Sequence, residues 1–281
     1  MKANEGFILS TKGLRLFHRH WPALKPKAIC LIVHGLAEHS GRYDGLAQIL
    51  VERHLSVWAV DHIGHGRSDG RRGDCCGLET FIEGLKTLAD CARMQAPNLP
   101  QIVIGHSLGG LVALTYAVQF PNRLKAVAVS SPALKLAVEP GFLKRAFVTA
   151  MAYLIPTFPI PNGVRPNDLS HDPTVVEAYQ NDPLIFRTLT ARCALALDRA
   201  INRVWKLANR LVVPCLILQA GKDRICDPSA AERFAHLIQN APVTFRRYDR
   251  AYHELFNETD RNRVIFDLCT WIERILEDGS P

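Results

Sequence analysis

Short apolar runs alternate along the chain with longer stretches whose apolar residues recur every three or four positions. Residues 29–33 form an apolar run that stops at His34-Gly35, and 45–53 carry Leu46, Ile49 and Leu50 at helical spacing. Residues 56–60 read as a strand ahead of the turn-rich string DHIGHGRSDG. Residues 81–94 set Leu85, Leu88 and Ala89 on one helical face, 101–105 read as a strand, 108–118 as a helix rich in Leu, Val and Ala, and 126–129 as another strand. Strands that are apolar at consecutive positions are covered on both faces. Their alternation with helices predicts a mostly parallel sheet between helical layers. Residues 7–21 instead alternate around Lys12-Gly13, which predicts a hairpin.

The rhythm stops at Pro132. From there to about 209 the chain shows helical segments and Pro-rich turns with no clean strand, after which VVPCLILQA (212–220) restarts the alternation. A helix over 230–238, a strand over 243–248 and a last helix over 261–276 complete it. Residues 1–131 and 210–281 are therefore expected to form one α/β core, with 132–209 inserted between two strands of its sheet. The insertion holds residues 146–163, which carry no charge; Pro156, Pro159 and Pro161 cut them too short to span a membrane. A buried or lipid-facing surface is expected there.

Composition narrows the class. With 281 residues, 48% hydrophobic and 22% charged, the chain is an ordinary globular protein, not a disordered, collagenous or coiled-coil one. The formal charge of +7 is mild; it suits an anionic membrane surface or an acidic partner and gives no argument for nucleic acid. The first apolar run, 7–9, is too short for a secretory signal. Several of the eight cysteines lie inside apolar runs, as Cys30 in AICLIV and Cys215 in VVPCLIL, and no C-x-x-C occurs. Free thiols packed as small hydrophobes, in a reducing cytoplasm, are expected.

The candidate chemistry centres on Gly105-His106-Ser107-Leu108-Gly109, a G-x-S-x-G between a predicted strand and a predicted helix. A serine at such a turn is held in strained backbone geometry at a helix N-terminus, and flanking side chains would strike the neighbouring strand and helix. Serine needs a general base and the base an orienting carboxylate, in chain order Ser, acid, His. Three histidines follow Ser107. His171 lies in the insertion and His236 in an amphipathic helix, whereas His253 follows the last strand, at the sheet edge where a base must stand. The acid is assigned to Asp223, after the strand ending at Ala220. Asp227 reads as a helix cap, Asp249 ends the strand that leads to His253, and 124–134 holds no acid at all. Backbone N–H groups of Leu108 and Leu36 are the candidate oxyanion donors. The string Asp61-His62-Ile63-Gly64-His65-Gly66 lacks metal-ligand spacing and a fourth ligand, so it reads as a turn. No Walker motif or dinucleotide fingerprint is present, and neither metal nor cofactor is expected.

Taken together, HGLAEHSGRY (34–43), DHIGHGRSDG (61–70), GHSLGG (105–110), YQNDPLI (179–185), AGKDRICD (220–227) and AYHELF (251–256) resemble the α/β-hydrolases of the monoacylglycerol lipase and lysophospholipase-like branch, in order and over nearly the whole chain. The resemblance implies an α/β-hydrolase fold, with a mostly parallel eight-stranded sheet and a helical cap inserted after the sixth strand, over an apolar acyl tunnel. It implies the same triad and oxyanion positions, and by it Glu38, Arg42, His106 and Tyr179 match positions that line or support a polar head-group pocket, with a simple bracing of the loop left open for Glu38 and Arg42. Where eukaryotic members carry a second histidine three residues past the catalytic one, this chain has Phe256, which removes a polar group from that end.

The expected function is serine-dependent hydrolysis of monoacylglycerols or similar single-chain lipid esters. The cap, with Lys135, Lys144 and Arg145 near it, is expected to touch a lipid interface. The enzymatic alternatives are a lysophospholipase or a general carboxylesterase; a peptidase reading lacks an acidic cluster in the insertion to hold an amino terminus. The alternative from another class is an inactive hydrolase fold that binds a ligand. Oligomeric state is not legible.

Overall fold

In the computed structural model, which describes residues 2–277, consecutive apolar residues do form buried strands. The first six strands of the chain, of which the edge strand β1 is largely exposed, are β1 (Asn4–Leu9), β2 (Arg15–Trp21), β3 (Ala28–Val33), β4 (Leu55–Val60), β5 (Gln101–His106) and β6 (Ala126–Ser130). Helices α1 (Asp44–Glu52), α2 (Glu79–Gln95) and α3 (Leu108–Gln119) connect them. The chain then leaves the sheet through α4 (Phe142–Leu154), β7 (Pro159–Pro161), α5 (Pro173–Asn181), β8 (Thr188–Thr190) and α6 (Ala191–Val204). It returns with β9 (Cys215–Ala220), α7 (Pro228–Leu237), β10 (Val243–Tyr248) and α8 (Arg261–Glu277).

The eight-stranded sheet has the order β1-β2-β4-β3-β5-β6-β9-β10. The β1/β2 hairpin is antiparallel and joins β4 antiparallel; every other neighbour is parallel. The pleat explains why its central strands are apolar throughout. In β3, Ile29, Leu31 and Val33 point into one core with α2, α3 and α7, while Ala28, Cys30 and Ile32 point into a second with α1 and α8. All eight cysteines are free thiols.

β6 and β9 are parallel neighbours, so residues 131–214 form an excursion from between them. Its helix α6 lays Cys193, Leu197, Ala200 and Val204 onto the first core, while α4, β7 and α6 share a small cluster around Ala152, Ile160 and Ala191. The expectation of no strand in 132–209 is not met, because β7 and β8 pair antiparallel. Two of the three β7 residues are prolines, which removes ladder donors and keeps the pair short. Among the described residues, no helix is long and apolar enough to cross a membrane.

Candidate active site

The loops at the C-terminal ends of the parallel strands converge on one cavity. Ser107 sits between β5 and α3 at φ +52° and ψ −116°, outside the regions that L-residues favour. The turn survives because its neighbours have no side chains. A Cβ on Gly105 would lie 2.3 Å from the Gly109 carbonyl oxygen, and one on Gly109 would lie 2.0 Å from that of Val33, on the adjacent strand. Backbone bonds lock it further: the Ser107 N–H donates to the Ser130 carbonyl (2.9 Å), and the Ala133 N–H donates to that of Ser107 (3.0 Å).

His253 and Asp223, 30 residues apart, meet across the β9 and β10 loops: His253 Nδ1–H donates to Asp223 Oδ2 at 2.7 Å. The other Asp223 oxygen accepts from the backbone N–H groups of Ile225 (2.8 Å) and Cys226 (2.9 Å), which fixes the carboxylate. Burial by itself lowers the His253 pKa, but the charge and hydrogen bond of Asp223, together with the charges of Glu254 and Glu38, more than reverse this, and the pKa is raised. The Cys226 thiol lies within 4.8 Å of both groups and lines the same cavity as Ser107. Burial, with the Asp223 charge, pushes that thiol up, so it is protonated, and His253 Nδ1 already faces Asp223. These donors are arranged for proton transfer rather than for a cation.

The alternatives weighed for base and acid fall elsewhere. His236 is exposed on α7, and His171 pairs with Glu258 at 2.8 Å. Asp227 caps α7 by accepting from the Ser229 N–H, and Asp249 is 82% exposed. In the Asp61–Gly66 turn, His62 and His65 pack with His34 against Phe81, and the Asp61 carboxylate braces the Ser40 and Arg67 N–H groups. Burial pushes both histidines down, His65 to about 3, so they are neutral packing groups.

The loop after β3 is also held. His34 Nε2 accepts from the His62 N–H (2.9 Å), so its Nδ1 carries the proton and donates to the Gly35 carbonyl at 2.7 Å. A planar trans peptide with its carbonyl pinned has its N–H aimed the opposite way, and that N–H belongs to Leu36. Leu36 and Leu108 both line the cavity beside Ser107.

The cavity, about 330 Å³, is lined on one side by Leu36, Leu111, Leu136, Val148, Ile160, Leu197 and Ile201. Its polar end is lined by Ser107, His253, Glu38, His106, Tyr179 and Glu254. Burial and the nearby His253 hold the His106 pKa down to about 4, so that ring is neutral. Arg42, expected to line or support this pocket or to brace its loop, is not among the lining residues. It lies behind the wall, bonded to Glu38 and Glu254, with the Tyr179 ring 4.9 Å from its guanidinium carbon. Phe256 turns into the second core, and the polar group at this end is that of Glu254. Sequence reasoning missed Glu254 and Cys226, although each lies in a string that marks the site, one directly after His253 and the other three residues after Asp223.

Residues 24–260 match the profile of the family described as serine aminopeptidase, S33. The chain belongs to this family. It is similar to a monoacylglycerol lipase of Mycolicibacterium smegmatis, with 34% identity over 264 residues that cover 92% of this chain and 93% of the mycobacterial protein. Similarity extends to the monoglyceride lipase of Homo sapiens, 32% identical over 95% of this chain and 89% of the human protein. The crystal structure of Paleococcus ferrophilus monoacylglycerol lipase superposes with a TM-score of 0.82 at 27% identity, covering 93% of this chain and 98% of that one. The family and these neighbours make the fold that of an α/β-hydrolase and the chain a hydrolase.

Proposed function

We propose that this protein hydrolyses monoacylglycerols to fatty acid and glycerol, with Ser107 as nucleophile, His253 as general base and Asp223 as its orienting carboxylate. The observation that carries the reading is the 2.7 Å bond from His253 to Asp223 on the rim of the cavity that Ser107 lines. The named activities of the Mycolicibacterium smegmatis, human and Paleococcus ferrophilus relatives support the substrate class.

In this reading the Ser107 hydroxyl attacks the ester carbonyl as His253 Nε2 takes its proton. Contacts between nucleophile and base are commonly loose without substrate and tighten around it. The oxyanion is held by the Leu36 and Leu108 N–H groups, the latter opening helix α3, whose dipole favours negative charge there. The imidazolium passes the proton to the leaving glycerol, and water then hydrolyses the acyl-enzyme by the same relay. The excursion over 132–209 serves as a cap. The apolar wall takes the acyl chain, for which each buried methylene contributes about 0.8 kcal/mol, and the end near Glu38, His106 and Tyr179 takes the glycerol. Exposed apolar residues on α4, with Phe142 at 82% and Leu143 at 83%, fit contact with a lipid surface from the cytoplasmic side.

The test is hydrolysis of monoacylglycerol, lysophosphatidylcholine and p-nitrophenyl esters of graded length by the full chain and by Ser107→Ala, with fluorophosphonate labelling of both. Preference for monoacylglycerol, an adduct on Ser107 and loss of turnover in the variant are expected. Unchanged hydrolysis by Ser107→Ala overturns the mechanism, and a preference for lysophosphatidylcholine moves the substrate to phospholipids.

A further inference from the structure

Three charges are buried together at the polar end of the cavity, Glu38 and Glu254 in its wall and Arg42 behind them: the side chains of Glu38 and Glu254 are each 4% exposed and that of Arg42 is 10% exposed. Charges withdrawn from water are tolerated only where pairing and hydrogen bonding are nearly complete, and here they are. Arg42 grips Glu254 with both ends of its fork, Nη1 to Oε1 at 2.5 Å and Nη2 to Oε2 at 2.7 Å, and Nη1 also donates to Glu38 Oε2 at 2.7 Å. Glu254 Oε2 accepts from Asn257 Nδ2 as well (2.9 Å). Glu38 Oε1 accepts the Gly35 N–H at 2.5 Å and the Tyr43 O–H at 2.7 Å. Every carboxylate oxygen of the pair is thus held by the protein's own donors, which is the arrangement of a brace rather than of a substrate hook.

Its placement gives the brace a task. Glu254 is bonded in sequence to His253, on the loop after β10; Glu38 reaches back to Gly35, whose carbonyl carbon is joined to the Leu36 nitrogen, on the loop after β3. In the sheet these strands are separated by β5, β6 and β9, so no ladder connects the two loops directly. The route from His253 through Glu254, Arg42 and Glu38 to Gly35 is a side-chain link between the base and the oxyanion donor. It also has an electrostatic sense. The groups that face the His253 ring are the carboxylates of Asp223, Glu254 and Glu38, the neutral His106 ring at 4.8 Å and the protonated Cys226 thiol, while the one Arg42 cation is shared by two carboxylates. Beyond Asp223, the three-charge group therefore carries a net negative charge toward the imidazole.

We propose that Glu254 is a positioning residue. Through Arg42 and Glu38 it sets the His253 loop against the loop that carries Leu36, and its charge adds to that of Asp223 in supporting the imidazolium formed during turnover. This rests on the triad reading above. It gives Arg42 and Glu38 the role of a brace in place of direct contact with the head group.

The test uses the purified full chain, Glu254→Gln, Glu254→Asp and Arg42→Lys, with Ser107→Ala as reference, on monoacylglycerol. Readouts are kcat, KM, the acid limb of kcat/KM against pH, and Tm. The base acts in its neutral form, so removing a nearby negative charge lowers its pKa and moves the acid limb to lower pH. For Glu254→Gln the expected shift is roughly one pH unit, with kcat down about tenfold and KM nearly unchanged. Glu254→Asp keeps the charge and restores the limb. Arg42→Lys keeps the cation but loses the fork, so kcat falls while the limb stays. A folded Glu254→Gln with the parent kcat and limb overturns the proposal. If that variant does not fold, Arg42→Lys decides: lost kcat at constant KM upholds the brace, and unchanged kcat overturns it. Should Ser107→Ala retain activity, the triad itself fails; should it be inactive while Glu254→Gln matches the parent, the brace alone fails.

Discussion

Helices α3 and α4 are of similar length and both rich in apolar residues, yet they meet opposite fates. Every residue of α3 except Gln119 is buried, whereas in α4 Ala152 alone is. The apolar surface of α3 is consumed in packing, and what it secures is the strained turn that presents Ser107. That of α4 remains open to solvent on one side and lines the cavity, with Val148, on the other. Hydrophobicity alone thus says little about a helix's role. The helix that continues a strand ending at a chemical group is invested in rigidity, and the one in the excursion is left available to a ligand.

The sharpest break in that contrast comes from the rigid side. Asp223→Asn preserves the shape of the proposed acid but removes the charge that supports His253, and kcat/KM is expected to fall about 10³- to 10⁴-fold with Tm little changed. A loss below tenfold would show that the acid lies elsewhere. Gly109→Ala tests the α3 end without touching a reacting group. Its Cβ would meet the Val33 carbonyl oxygen at 2.0 Å, so a loss of on the order of 3 kcal/mol in urea unfolding is expected. Stability within about 0.5 kcal/mol of the parent would mean the elbow gives way easily. The smallest effect belongs to α4. Phe142→Ser with Leu143→Ser leaves stability within about 0.5 kcal/mol, lowers the rate on emulsified monoacylglycerol roughly threefold, and spares a soluble short ester, since only interfacial contact is weakened. Equal rates on both substrates in variant and parent would take the lipid surface away from α4.

These differences also mark what the chain discloses by itself. The parallel sheet is legible because strands covered on both faces, such as β3 and β5, are apolar at consecutive positions. The elbow is legible because only glycine fits at 105 and 109, so the packing is written into residue type. The β7/β8 pair was not: three residues with two prolines give no period to read. Nor was the long-range contact of Arg42. Its partner Glu254 is 212 positions away, and no local pattern announces a contact made only when loops from β3 and β10 are brought to one edge. The same holds for Cys226, which packs as a small hydrophobe in sequence terms and lies beside Ser107 in space.

The stretch of the excursion after β7 is bonded to loops of the α/β core. The Leu169 carbonyl accepts the Glu254 N–H (2.8 Å), Ser170 Oγ donates to the Asn257 carbonyl (2.9 Å), Asp182 pairs with His39 (2.8 Å), and Arg192 and Thr190 both bond Asp74. Among the described residues helix α4 has no comparable set of anchors, its bonds from Arg145 to Asp198 and from Arg199 to Tyr153 being exposed and internal to the excursion. Changes in α4 are therefore expected to retune which chain lengths the proposed enzyme admits, while the bonds that hold the proposed acid, base and donor in register stay untouched.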